Sequence, residues 1–348
     1  MFEVQTKKLG SRPDGRPVDT KPLIRSNKFI TVTEKGDLYT LDTATDAVEK
    51  LCSIECPEID FGESVTIEIS VQEDFLSVVN TYGKHGVLVD LARKRIVRAF
   101  ERDDYHFKQS KFPTAFLEHN KRTLFVHGTA WNRLDITDVH TGESVIPRPD
   151  AEFDADENGS GEAGHYLDYF HGQLLVSPGG DWIADNGWIW HPAGSVTAWN
   201  VRNWLTENVW ESEDGESRKT LWWGKYDWNE PICWVGKTKI GIIGRYDPGL
   251  LADEEEMPLS EDFLLRIMDV RDGLESVSFK IVPGELYYDD YIYCSSPDKG
   301  LTVYDPGSGK ELYANAGLTA AAYHPGSKQF LTVNEYDLTV FTVTRNPE

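Results

Sequence analysis

Residues Tyr291 to Tyr313, YIYCSSPDKGLTVYDPGSGKELY, read as an apolar strand, a short polar loop, a second strand ending in Asp305, a Gly-bearing turn and the start of a third strand. The middle of this unit recurs along the chain. GDLYTLDTAT ends its strand at Asp42, HGVLVDLARK at Asp90, RLDITDVHTG at Asp138 and FLLRIMDVRDG at Asp269. GSVTAWNVRN, at Asn200, and DLTVFTVTRN, at Thr342, are degenerate copies, which makes seven. Each alternates large apolar with small or polar residues and then breaks into turn formers, the pattern of a strand entering a hairpin.

A second apolar run precedes most copies: FITV at Phe29, FLSVV at Phe75, TLFV at Thr123, IGIIG at Ile240 and FLTV at Phe330. Asp42, Asp90 and Asp138 are spaced by 48 residues. Periods of roughly 40 to 50 residues with about four strands each belong to propeller blades. One blade cannot bury both faces, so blades pack side by side. The expectation is an all-β, single-domain, seven-bladed β-propeller of four-stranded antiparallel blades, with no substantial helix.

The chain resembles the WD-repeat and quinoprotein-like seven-bladed β-propellers through SPGGDWIAD at Ser177, YHPGSKQFLTV at Tyr323 and the strand-ending Asp series. It lacks the Gly-His opening and Trp-Asp ending of true WD repeats. DNGWIWHP with AWNVRNWL is also similar to bacterial propeller proteins of unassigned role, a likeness that implies no activity.

Residues Phe2 to Leu9 alternate, and the last copy, Thr319 to Arg345, shows only three strands. The N-terminal segment is therefore expected to supply the outer strand of the last blade and lock the ring. Joining ends so far apart opposes closure by roughly 5 kcal/mol, so the lock must be well paired.

With 58 acidic against 35 basic residues, the formal charge is −23. This opposes binding to nucleic acid backbones and anionic membranes, both of which depend on Lys and Arg. The chain shows no signal core and no long apolar span, so a cytoplasmic monomer is expected. Four cysteines form no disulfide framework. Nine histidines show no metal-protease spacing, and no nucleophile elbow or phosphate loop occurs.

Blades one to three are expected at 21–54, 65–101 and 113–146, blade four at 166–205 and blade five at 232–281. Three longer insertions break this regularity: PRPDAEFDADENGSGEAGH, TENVWESEDGESRKTLWWGKYDWNEP and RYDPGLLADEEEMPLSED. All are expected to open onto one end of the blades. Ten of the eleven tryptophans lie between Trp182 and Trp234; Trp199 and Trp234 are expected in the core, whereas Trp188, Trp190, Trp222, Trp223 and Trp228 are expected in or next to these loops.

Trp131, Trp188, Trp190, His191, Trp222, Trp223, Tyr226, Trp228, Arg245 and Tyr246 are the candidate partner-binding residues, because clustered Trp, Tyr and Arg form binding hot spots. The competing reading is that these rings plug gaps between the loops and blade ends. In DADENGSGE, residues Asp154, Asp156, Asn158 and Glu162 alternate around Gly159, a spacing that suits calcium although His165 stands where a bidentate Glu is usual. A solvated acidic loop is the alternative.

The sequence thus favours a non-catalytic platform for a protein or peptide partner of basic character, on the aromatic-rich loop face over blades four and five. A hydrolase or lyase with its site at the central channel mouth and a calcium-stabilised structural module are the alternatives.

Overall fold

The computed structural model describes residues 2–149, 164–190, 193–245 and 261–345. Strand β1 (Phe2–Lys8) precedes blade one, which contains β2 (Pro17–Leu23), β3 (Lys28–Thr33), β4 (Asp37–Asp42) and β5 (Ala47–Ser53). Blade two contains β6 (Val65–Ile69), β7 (Phe75–Asn80), β8 (His85–Asp90) and β9 (Arg95–Glu101), and blade three β10 (Thr114–His119), β11 (Arg122–Ala130) and β12 (Arg133–Asp138).

Blade four contains β13 (Phe170–Val176), β14 (Trp182–Ile189), β15 (Ala193–Asn200) and β16 (Lys219–Lys225), with helices α1 (Val201–Thr206) and α2 (Glu211–Asp214) between its last two strands. Blade five is β17 (Ile232–Trp234), β18 (Lys239–Arg245), β19 (Phe263–Asp269) and β20 (Glu275–Ile281). Blade six is β21 (Glu285–Tyr288), β22 (Ile292–Ser296), β23 (Gly300–Tyr304) and β24 (Glu311–Asn315). β25 (Ala322–His324), β26 (Gln329–Asn334) and β27 (Asp337–Arg345) form blade seven, completed by β1. The fold is a seven-bladed β-propeller of antiparallel sheets.

The repeated aspartate has a physical role at the turn after the third strand. Asp42, Asp90, Asp138, Asp269 and Asp305 each accept a bond from a backbone N–H two or three residues on. Four residues after each aspartate the backbone is left-handed: φ is +60° at Asp46, +54° at Lys94, +76° at Gly142, +74° at Gly273 and +70° at Gly309. An Asx turn followed by a left-handed residue directs the chain into the fourth strand. The middle strands are buried on both faces, as in β7 and β8, whereas outer strands such as β5 are half exposed.

Two compact units divide the chain, Met1–Glu101 with Val282–Glu348, and Arg102–Ile281. In the first, Val32, Leu38, Ile67 and Val78 form the core between blades one and two. Leu9 joins Phe29, Leu41 and Leu331 in the core between blades seven and one. β1 pairs with β27 from Phe2↔Arg345 to Lys8↔Thr339, and the Leu9 N–H donates to Leu338 O at 2.9 Å. His324, fully buried, uses its Nε2 against Leu23 O at 3.0 Å, which ties blade seven to blade one.

In the second unit, Leu124, Val126, Ile136, Ile183, Trp199 and Trp204 fill the space between blades three and four. Trp222, Trp234, Ile240 and Ile242 do so between blades four and five. Among the described residues, blade three has one isolated bridge, Thr137↔Ser144, at its outer position. There the Arg148 guanidinium donates to Leu134 O, while the Val145 N–H donates to Ile136 O at 2.9 Å.

Blade four corrects the expected layout, since it does not end at Leu205 and its second insertion is not a plain connection to blade five. Asn200 ends β15, and its side chain accepts from Asn203 N at 3.1 Å, capping α1 instead of closing a hairpin. Val201 and Trp204, three residues apart on one helix face, are buried. The chain then returns through α2 to form β16. Because successive strands alternate in direction, this helical excursion leaves and rejoins the sheet at the end opposite the β14–β15 turn, yet its Trp210 stacks on His165 of the first insertion and, with Glu213, lines a cavity beside Trp131 of the β11–β12 turn. Among the described residues, no helix is long and apolar enough to cross a membrane.

Candidate functional site

Five segments of the second unit converge at one end of blades three and four. Residues 102–112 form the first, and Arg102 organises them. Its buried guanidinium donates to Phe107 O and Ser110 O at 2.9 Å and lies 4.6 Å from the centre of the Phe112 ring. Burial pushes the Arg102 pKa down to about 10, so it stays charged at neutral pH. The loop closed by these bonds carries Tyr105 and His106 at its tip.

Phe170, at the start of β13, is the centre of the aromatic cluster. Trp188 stacks on it at 3.8 Å and 8°, and Trp131 lies at 4.4 Å. Tyr105 stacks at 5.8 Å, and the His106 ring meets Phe170 edge-on at 5.5 Å. Trp190 is 5.2 Å from His106 and 6.1 Å from Trp188, while Trp228 is 5.7 Å from Trp188. Trp188 Nε1 donates to Ser110 Oγ at 2.7 Å, fixing the buried indole to the Arg102 loop.

Polar bonds bind the segments together. Lys111 Nζ reaches Asn229 O at 3.2 Å, Asn229 Nδ2 reaches Gln109 O at 3.1 Å, and Asn186 Nδ2 reaches Glu230 O at 2.6 Å. Asp103 accepts from Trp131 N at 3.2 Å, while burial pushes its pKa up. Burial also raises the Glu230 pKa, helped by the charge of Asp227.

Trp131, Trp188, Trp190 and Trp228 are therefore brought together. Trp190 is 48% exposed, but Trp188 is 4% exposed and acts through packing. Trp222 and Trp223 belong to β16 and not to a loop. Alternation along that strand turns Trp223 outward, 45% exposed, and sends Trp222 into the core at 7%. There the Trp222 ring occupies space left by Gly224 and Gly244, where an added Cβ would come within 2.1 Å of it.

Tyr226 follows β16, with φ +58° and 59% exposure. Arg245 pairs with buried Asp227 at 3.2 Å and lies over the Phe263 ring, anchoring this turn to blade five. Among the described residues, no ring contact joins Trp223 or Tyr226 to the Phe170 cluster. His191, Tyr246 and the calcium candidates Asp154, Asp156, Asn158 and Glu162 lie outside the described residues.

Sequence reading missed Tyr105, His106, Tyr166 and Phe170 as members of the cluster. For Tyr105 and His106 the signal was the Tyr-His-Phe run inside RDDYHFKQSK, otherwise a polar connection, and for Tyr166 and Phe170 it was the aromatic run YLDYFHG. Beneath the cluster, His171 Nδ1 meets Asp185 Oδ2 at 2.5 Å, with both side chains sealed from solvent and therefore out of reach of a substrate.

No family model matches the chain, and no curated protein sequence matches it. Solved structures do. The Cps50 (Swd1) β-propeller domain of Myceliophteria thermophila is 11% identical, with a TM-score of 0.59 over 98% of this chain and all of that one. A chain of the Mitotic Checkpoint Complex is 12% identical, with a TM-score of 0.58 over 98% of this chain and 94% of that one. At such identities the likeness establishes the fold alone, a seven-bladed β-propeller.

Proposed function

We propose that this protein is a non-catalytic, monomeric, single-domain platform that binds a protein or peptide partner of basic character through the aromatic end of its blades. Ten large hydrophobic side chains are exposed among the described residues, and five of them, Tyr105, Tyr166, Trp190, Trp223 and Tyr226, sit at this end of the second unit. That concentration is the observation that carries the reading. Exposed Trp and Tyr offer large contact area at little rotamer cost, and here buried stacks and a bonded loop already hold several of them. Asp103, Asp104 and Asp168 lie nearby in sequence, and the chain's charge of −23 favours a cationic partner. One structural neighbour is a chain of a complex, which agrees with such a role.

A photo-crosslinking residue placed at position 190 of the full chain tests the reading, with position 274, exposed on another part of the same unit, as control. The expected result is a discrete protein adduct from position 190 that is competed by unlabelled protein and absent from position 274. Equal labelling at both positions, or none at 190, would overturn it.

A further inference from the structure

Blade three leaves a cavity of about 300 Å³ on its flank, lined by Trp131, Arg133, His165, Tyr166, Trp210 and Glu213 among others. One wall is the β11–β12 hairpin with Tyr166, whose ring meets Trp131 edge-on at 6.3 Å. The other comes from the blade four excursion. His165 stacks on Trp210 at 4.6 Å and 3°, and its Nδ1 meets Asp214 Oδ2 at 2.7 Å. Arg148, with no exposed side-chain surface, lies over Trp210 at 4.6 Å and joins Glu213 Oε2 at 2.7 Å.

The groups lining this cavity are not equally committed. Arg133 is held by Asp135 at 3.1 Å and by the carbonyls of Pro149 and Arg148. Glu213 has a side chain only 3% exposed, yet both bonds it accepts, from Arg148 and Ser212 Oγ, end on Oε2. Among the described residues no donor takes its Oε1. Of the groups that line the cavity, Arg133 and His165 are each paired with an aspartate, Asp135 and Asp214, which leaves the second oxygen of Glu213 facing the aromatic rings. Indole and phenol rings beside an uncommitted carboxylate oxygen suit a cation. The volume lies at the lower end of the roughly 300–1,000 Å³ typical of small-ligand pockets, which matches one side chain better than a nucleotide.

We propose that this cavity receives a lysine or arginine side chain of the bound partner, an assignment that rests on the platform reading above for the source of that side chain. The Trp131 and Tyr166 rings flank its stem, and Glu213 Oε1 accepts from its charged head.

Calorimetric titration of the full chain with N-acetyl-arginine methylamide, its lysine counterpart and the neutral citrulline isostere tests this. The account expects saturable binding of a cationic probe with Kd on the order of 1 mM, and at least about tenfold weaker binding of citrulline. Tyr166→Ala and Glu213→Gln should each abolish it; because Glu213→Gln also disturbs Arg148, the more exposed Tyr166→Ala keeps the test valid if the former misfolds. Leu274→Ala, exposed on another part of the unit, should leave probe affinity unchanged. Equal affinity for citrulline, no saturation by about 50 mM probe, or unaltered binding in Tyr166→Ala would overturn the pocket assignment. Position-190 crosslinking would still stand in that case, and its loss with probe binding intact would instead overturn the platform.

Discussion

The indole of Trp188 lies flat on the ring of Phe170, 3.8 Å away and 8° from parallel, and its Nε1 donates to Ser110 Oγ across a sequence separation of 78 residues. One buried side chain thus joins the end of β14 to the start of β13 and to the loop organised by Arg102. Trp188→Ala should cost about 3–5 kcal/mol, the usual loss for emptying a buried tryptophan site. Trp190→Ala, which removes a half-exposed ring two residues away, should change stability by about 1 kcal/mol or less. Urea unfolding followed by circular dichroism separates the two, and equal destabilisation would mean that Trp190 is a plug.

Strand β1 should act as the lock of blade seven. It pairs with β27 over seven residues, Phe2 packs against Tyr291 and Tyr313, and Lys7 Nζ donates to Thr43 O. Removing residues 1–9 uncovers the β27 edge and forfeits the burial of Leu9, about 2 kcal/mol by itself. The thermal midpoint should fall; an unchanged midpoint would show that the strand is dispensable.

The turn aspartates predict acid sensitivity. The Asp42 pKa lies below its usual value through the Thr45 N–H, that of Asp305 through Ser308 and that of Asp269 through Arg271. At Asp138 burial pushes upward, but bonds from Arg122, His140 and Thr141 outweigh it. A carboxylate whose folded pKa is depressed contributes stability above its unfolded pKa, near 3.8, and loses it as pH falls through the lower folded value. The melting temperature should therefore drop as pH falls below about 4, and replacing these four residues with Asn should flatten that dependence. Parallel melting profiles for wild type and the Asn variant would contradict it.

Lys94 occupies a left-handed position that is glycine in blades three, five and six. Its side chain makes an exposed hydrogen bond to Glu49. Lys94→Gly should stabilise by up to about 1 kcal/mol, since relief of left-handed strain exceeds the loss of a surface ion pair. A lower midpoint in chemical denaturation would show that the ion pair matters more.

The blades were legible because their cause is local. An Asp that closes a turn and a residue that must go left-handed four positions later leave a mark at each repeat, and the unpaired start of the chain leaves another. Blade four was misread at Asn200, where an almost identical strand ending caps a helix; the choice depends on Trp204 finding a buried place beside blade three, which spacing does not encode. The tryptophan density pointed to the aromatic end, but alternation along β16 buries Trp222 and frees Trp223. Phe170, Tyr105 and His106 joined through long-range packing, which the short aromatic runs that carry them do not encode.

The most direct test is calorimetric affinity for the partner crosslinked at position 190, measured with wild type and with the Trp190→Ala/Trp223→Ala variant. Two exposed hot-spot rings predict a loss of about 100-fold or more with the melting temperature retained. Unchanged affinity in the folded variant would contradict the assignment of this aromatic end as the binding surface.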